Sequence, residues 1–244
     1  MGATDGDIGK VDDFYFDDVT WTIRYLVVET GNWLLNRKVL ISPEALLQVN
    51  WTNEAFPVKL TKEQVRNSPD IDLDLSVSQQ HQIDLSIYYS WTNHFGSSIW
   101  KNGMGATGLM PTILEDDEDA EENRLNNPDA DADGDPHLRS AKSVQGYKIN
   151  ATDDNIGDVV EFIIDVSIWT IQYLVIDTGN WFPGKKVTIS PDLISEINWR
   201  KSEFTINASV EQVRNSPEYD PSKLLSTDYE FDLQNYYGRV IAHK

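Results

Sequence analysis

Carboxylates are the residues of this chain best placed to do chemistry, and three of them recur at one fixed separation. Asp17 and Asp165, Glu29 and Asp177, and Glu63 and Glu211 each lie 148 positions apart (165 − 17). Two carboxyls facing across a cleft can divide general-acid and general-base work. Nothing in this spacing demands it. Asp17 falls in a turn, Glu63 lies inside a capped helical turn, and Glu29 closes a strand. Lys38 and Lys186, with Arg66 and Arg214, are ready ionic partners. The expectation is an ion pair or hydrogen bond that holds a turn.

Other chemistry is weakly signalled. Asp129, Asp131, Asp133, Gly134 and Asp135 follow the first half of a calcium loop. Such a loop needs a bidentate carboxylate at its twelfth position, and here that position is Ser140, with Pro136 interrupting at the eighth. His81, His94, His137 and His243 do not pair at metal spacing, and none recurs. Gly103, Gly105 and Gly108 match the dinucleotide pattern in letters, but they follow no clear strand and open no helix. Cysteine is absent, which excludes disulfides, thiol nucleophiles and thiolate–metal sites. Catalytic, cofactor-binding and metal residues are therefore all expected to be none.

The elements that carry these residues are repeated. Trp21 to Trp33 returns almost unchanged as Trp169 to Trp181. The same offset joins Gly9 to Gly157, Ile41-Ser42-Pro43 to Ile189-Ser190-Pro191, Asn50-Trp51 to Asn198-Trp199, and Glu63 to Pro69 with Glu211 to Pro217. No gap is needed. Two long copies make a duplicated domain, whereas a solenoid needs at least three short units.

Each copy reads as short strands punctuated by turns. Ile8 to Asp17 is a strand, and Asp17 to Thr20 a turn. The next strand carries Trp21, Ile23, Tyr25 and Val27 on one face. Its other face begins polar at Thr22 and Arg24 and ends apolar at Leu26 and Val28, so it is expected to be half exposed at its start. Thr30-Gly31-Asn32 breaks it. Arg37 to Ile41 is a further strand. Leu46 to Trp51 and Phe56 to Leu60 are expected to pair as a hairpin. Thr61 to Gln64 and Ser209 to Gln212 are capping boxes, and Pro69 and Pro217 stop the helices they open. Longer helices are expected from about Ser78 to Ser90 and from about Thr227 to Tyr237. These elements describe two small β-barrels. The expected domains are 1–75, the first barrel; 76–142, a helix, an aromatic segment and an acidic linker; 143–222, the second barrel; and 223–244, a C-terminal helix and tail.

One asymmetry stands out. The second copy has Ser143 to Asn150 ahead of Ala151, and the first has no such strand before Ala3. An unpaired barrel edge invites another chain. A strand from elsewhere in the chain, or from a second molecule, is expected to cover Ile8 to Phe16.

Composition sets the class. The formal net charge is −20, from 40 acidic and 20 basic residues. That works against binding nucleic acid or anionic lipid, which needs clustered Lys and Arg. A 40% hydrophobic content is enough for real cores. No apolar run approaches the ~18 residues of a membrane span. The N-terminus has no basic start and no apolar stretch, so no signal peptide is expected and a cytoplasmic location is the simplest reading. Glu115 to Asp135 reads as an acidic linker, and Tyr88 to Trp100 is strongly aromatic.

At these residues a family becomes recognisable. Ile8 to Phe14, Ile23 to Gly31 and Arg37 to Pro43 resemble the PRC-barrel signature, as do Ile156 to Phe162, Ile171 to Gly179 and Lys185 to Pro191. The chain is similar to bacterial proteins with two such barrels in tandem, in which a segment like His137 to Ser140 precedes the second. The resemblance implies a mainly β fold of two small PRC-type β-barrels with short capped helices, related by internal duplication. Such barrels form the cytoplasmic part of the photosynthetic reaction-centre H subunit and the C-terminal half of a ribosome-maturation factor that binds a ribosomal protein. Both use the barrel for protein contact. Neither the membrane helix of the first nor the RNA-associated domain of the second is expected from these residues. The resemblance implies no catalytic residues.

The expected function is a non-enzymatic protein-interaction or regulatory module. A soluble accessory of a membrane or photosynthetic electron-transfer complex is the first alternative. A small-ligand binder or enzyme with a site between the barrels is the second. Expected partners are a protein or a second copy of the chain, with no nucleic acid, no membrane insertion and no cofactor. The candidate interaction surface is aromatic: Trp33, Trp51, Trp91, Phe95, Trp100, Trp181 and Trp199.

Overall fold

A computed structural model describes residues 1–49, 55–69, 79–91, 135, 137–179, 185–222 and 227–242. The architecture is mainly β. The chain divides into two compact units, and neither is continuous in sequence. Unit 1 is Met1–Phe14 with Arg24–Leu138, and unit 2 is Tyr15–Ile23 with Arg139–Lys244.

Unit 1 starts with β1 (Gly2–Ala3) and β2 (Gly6–Asp7), which pair antiparallel. The strands β3 (Lys10–Asp17), β4 (Ile23–Glu29) and β5 (Lys38–Ile41) follow, and a four-stranded sheet runs β5-β4-β3-β6, where β6 is Leu138–Ser140. The edge along Ile8 to Phe16, expected to be covered by a strand from elsewhere in the chain or from a second molecule, is met from within the chain at two places. At its start the Met1 carbonyl accepts from the amides of Ile8 and Gly9, and further on β6 lies beside β3. The helix α1 (Lys62–Arg66) carries the full capping box: Thr61 accepts from the Gln64 amide, and the Gln64 side chain accepts from the Thr61 amide. The helix α2 (Gln79–Tyr89) buries Gln82 and Leu85.

One expectation fails at Arg24. Trp21 and Thr22 are half-buried as expected of the strand's start, but Ile23 to Val28 is buried at every position, Arg24 included. An arginine's long aliphatic stem can pack along apolar surface. The hairpin expected from Leu46 to Trp51 and Phe56 to Leu60 is paired antiparallel where it is described: Leu46 bridges Val58, the Leu47 amide donates to the Pro57 carbonyl and the Lys59 amide to the Ala45 carbonyl. Residues 50–54 with Trp51 lie outside the described residues.

Unit 2 realises the same pattern more fully. A short helix α3 (Ala141–Val144) leads into β7 (Lys148–Asn150), β8 (Asn155–Asp165), β9 (Thr170–Asp177), β10 (Lys186–Ile189), β11 (Ile194–Asn198) and β12 (Glu203–Ile206). Their order in the sheet is β10-β9-β8-β7-β12-β11. All neighbours are antiparallel except β12 and β7, which run parallel. The capping box returns at Ser209 on α4 (Val210–Arg214). The helix α5 (Thr227–Ala242) buries Leu233 and Tyr237. The Tyr237 hydroxyl donates to the Thr188 carbonyl, and burial raises its pKa.

The repeated glycines sit where two strands nearly touch. A Cβ at Gly9 would lie 1.9 Å from the Glu29 carbonyl oxygen, and one at Gly157 would lie 2.0 Å from that of Asp177. Gly157 also has φ +137°. The obstruction in each case is backbone, which cannot rotate away as a side chain would. Gly157→Ala is expected to cost at least the ~1–3 kcal/mol of overpacking, read as a lower denaturant midpoint. An unchanged midpoint would show that β8 and β9 are not this close.

Candidate interaction surface

Three of the recurring carboxylates, Asp17, Asp165 and Asp177, serve turns. Asp17 Oδ1 accepts from the amides of Val19 (3.1 Å) and Thr20 (2.8 Å) and from the Thr20 hydroxyl (2.9 Å). Asp165 Oδ1 accepts from the Ser167 amide and hydroxyl, and these bonds hold its carboxyl below its usual range. Asp177 accepts from the Gly179 amide at 2.8 Å. Lys38 and Lys186 stand opposite Glu29 and Asp177 in the strand ladders, and their ion pairs are with other carboxylates. Lys38 reaches Asp12 at 3.0 Å, and Lys186 reaches Glu161 at 2.6 Å. Lys186 and then the Tyr219 hydroxyl lower the Glu161 pKa. Among the described residues no group of three or more His, Asp or Glu could hold a metal ion.

After each Asp turn the chain does something the sequence does not announce. Trp21 has φ 58° and Trp169 φ 52°, the left-handed region that bulky residues avoid. These kinks place Trp21–Ile23 antiparallel to Trp169–Ile171. The Ile23 amide donates to the Trp169 carbonyl at 2.7 Å, and the Ile171 amide to the Trp21 carbonyl at 2.8 Å. The two bonds exchange under the 148-residue offset (171 − 23 and 169 − 21), with Thr22 opposite its own counterpart Thr170. All these residues belong to unit 2.

Side chains reinforce the backbone pairing. The Trp21 ring stacks on Phe16 at 5.3 Å and tilts against Phe204 at 6.2 Å. Tyr147 and Trp199 close around Phe204 at 5.7 and 6.0 Å. The Arg139 guanidinium lies 4.1 Å from the Trp199 ring centroid, and its Nε bonds Asp18 at 2.8 Å. Both side chains of that ion pair are 5% exposed.

A cleft of about 350 Å³ opens beside this cluster within unit 2. Asp18, Val19 and Trp21 form one wall. Pro191, Asp192 and the strand residues Ile194 to Ile197 form the other. Val19 is 67% exposed, and Asp192, Ser195 and Glu196 are exposed as well.

The aromatic residues singled out from the sequence do not converge here. Trp199 is buried in the cluster just described, so its ring is core and not surface. Trp33 is half-buried in unit 1; its indole donates to the Ile8 carbonyl, and Lys62 and Arg66 lie 4.4 and 5.7 Å from its ring. Trp91 is buried and stacks on Tyr89 at 4.1 Å. Trp51, Phe95, Trp100 and Trp181 lie outside the described residues. Asp18, Val19 and Trp21 escaped the sequence reading because it took them as turn and strand. The signal available was the change from Asp18-Val19-Thr20 to Val166-Ser167-Ile168 between otherwise similar copies.

Comparison with known proteins agrees with the fold. Residues 1–65 match the sequence model of the PRC-barrel domain. No curated protein matches the chain.

Removing one member of the Asp18–Arg139 pair leaves a buried charge without that partner, which costs about 3–5 kcal/mol. Asp18→Ala and Arg139→Met are each expected to lower stability, and the double variant to lose less than the sum. Equal additive losses in urea unfolding would mean the pair is not coupled.

Proposed function

We propose that this chain is a non-enzymatic protein-interaction or regulatory module built from two PRC-type barrels related by the sequence repeat. The observation that carries the reading is the open cleft of unit 2, which runs along a sheet-edge strand. Concave surfaces beside unpaired strands suit partner segments. The repeated carboxylates support it from the other side. Asp17, Asp165 and Asp177 are occupied by turn amides, which leaves no facing pair for acid–base work among them. The net charge of −20 favours a protein partner over nucleic acid. The resemblance to barrels that contact proteins agrees with both points.

Immobilised full-length chain, compared with an unrelated acidic protein of similar charge, tests the proposal. At least one protein is expected to be enriched and to be released by free chain in excess. Enrichment of nothing beyond the acidic control would overturn the reading.

A further inference from the structure

The cleft contains a surface that the proposed function leaves unspecified. β11 is the last strand of the six-stranded sheet: β12 pairs with one side, and no described strand lies on the other. Within it, Glu196, Ile197 and Asn198 pair in regular register with Thr205, Phe204 and Glu203. The extra residue Ser195 bulges, and its hydroxyl bonds the Thr205 carbonyl. None of Glu196, Ile197 and Asn198 makes a described main-chain hydrogen bond outside this ladder. Such an edge is a template for one more strand.

We propose that β11 takes up an extended peptide segment of a partner protein, one that alternates apolar residues with Lys or Arg. This rests on the reading of the chain as a protein-binding module and deepens it. Two features choose the occupant. The main-chain edge selects an extended conformation, because only a strand can continue the ladder. The walls select its charge. Every charged residue of the cleft is acidic: Asp18, Asp192 and Glu196. Asp18 is already held by Arg139, so Asp192 and Glu196 are the exposed charges that a basic segment would meet. Val19, Trp21 and Ile197 supply apolar contact for the intervening side chains. The chain's own acidic stretch, Glu115 to Asp135, has the wrong sign for this site.

The test uses the full chain and three defined peptides: one alternating Lys and Val, one with a central Pro in that sequence, and one with Glu in place of Lys. Binding is read by fluorescence anisotropy and by amide shifts in labelled protein. The Lys–Val peptide is expected to bind, to weaken as salt is raised, and to shift the amides of Ser195 to Asn198. The Pro peptide loses ladder bonds and is expected to bind about tenfold more weakly, and the Glu peptide not at all. Asp192→Lys with Glu196→Lys, both exposed, should weaken the Lys–Val peptide by about tenfold or more. No binding of the Lys–Val peptide, or binding that ignores the double variant, overturns the proposal. Equal binding of the Pro peptide overturns strand addition, since charge alone would then hold the ligand. A partner captured by the immobilised chain without any peptide response removes this site and leaves the broader function standing. A peptide response without captured partners does the reverse.

Discussion

Two main-chain hydrogen bonds set the form of unit 2. They join Trp21–Ile23 to Trp169–Ile171, and each carries into the other under the sequence repeat. Making them requires Trp21 and Trp169 to hold positive φ, an unfavourable state for a large side chain. The surroundings supply compensation. Asp17 and Asp165 fix the preceding turns through their carboxylates, and Phe16 and Phe204 take up the Trp21 ring. The result is that a segment numbered within the first repeat, Tyr15–Ile23, belongs to the second compact unit.

The buried Asp18–Arg139 pair depends on this arrangement. Ion pairs gain little at a surface, but one that is 5% exposed on both sides is costly to break from either side. Arg139 also covers one face of Trp199, so the same cation satisfies a carboxylate and an aromatic ring. With Arg139 and Asp18 in place, Val19 and Trp21 are presented toward β11. The cleft is therefore a consequence of the turn geometry. It is not an independent feature of the second sheet.

Much of this was readable from residue order. The turn role of Asp17 and Asp165 and the capping boxes at Thr61 and Ser209 follow from local chemistry, and local chemistry repeats with the sequence. The β4 strand was readable as a strand but not in its burial. Arg24 looks exposed by alternation and is buried because both faces of that strand are covered. The site was harder still. Aromatic richness pointed to Trp33, Trp91 and Trp199, yet Trp91 is buried against its near neighbour Tyr89, and Trp199 is buried under Arg139 and Tyr147, both distant in sequence. An exposed edge depends on which strand ends the sheet, and strand order is a property of the whole chain. The pairing of Thr22 with Thr170 is of the same kind: identical sequences give no sign that they meet.

The form of unit 2 depends on the placement of the Asp17–Ile23 turn within it. Amide hydrogen exchange on the full-length protein measures it at single residues. The amides of Ile23 and Ile171, bonded to the carbonyls of Trp169 and Trp21, are predicted to exchange as slowly as those of Leu174 and Ile176 in the core. Asp18→Ala should speed Ile23 and Ile171 together. Exchange of Ile23 and Ile171 at rates typical of an exposed hairpin tip would contradict the account.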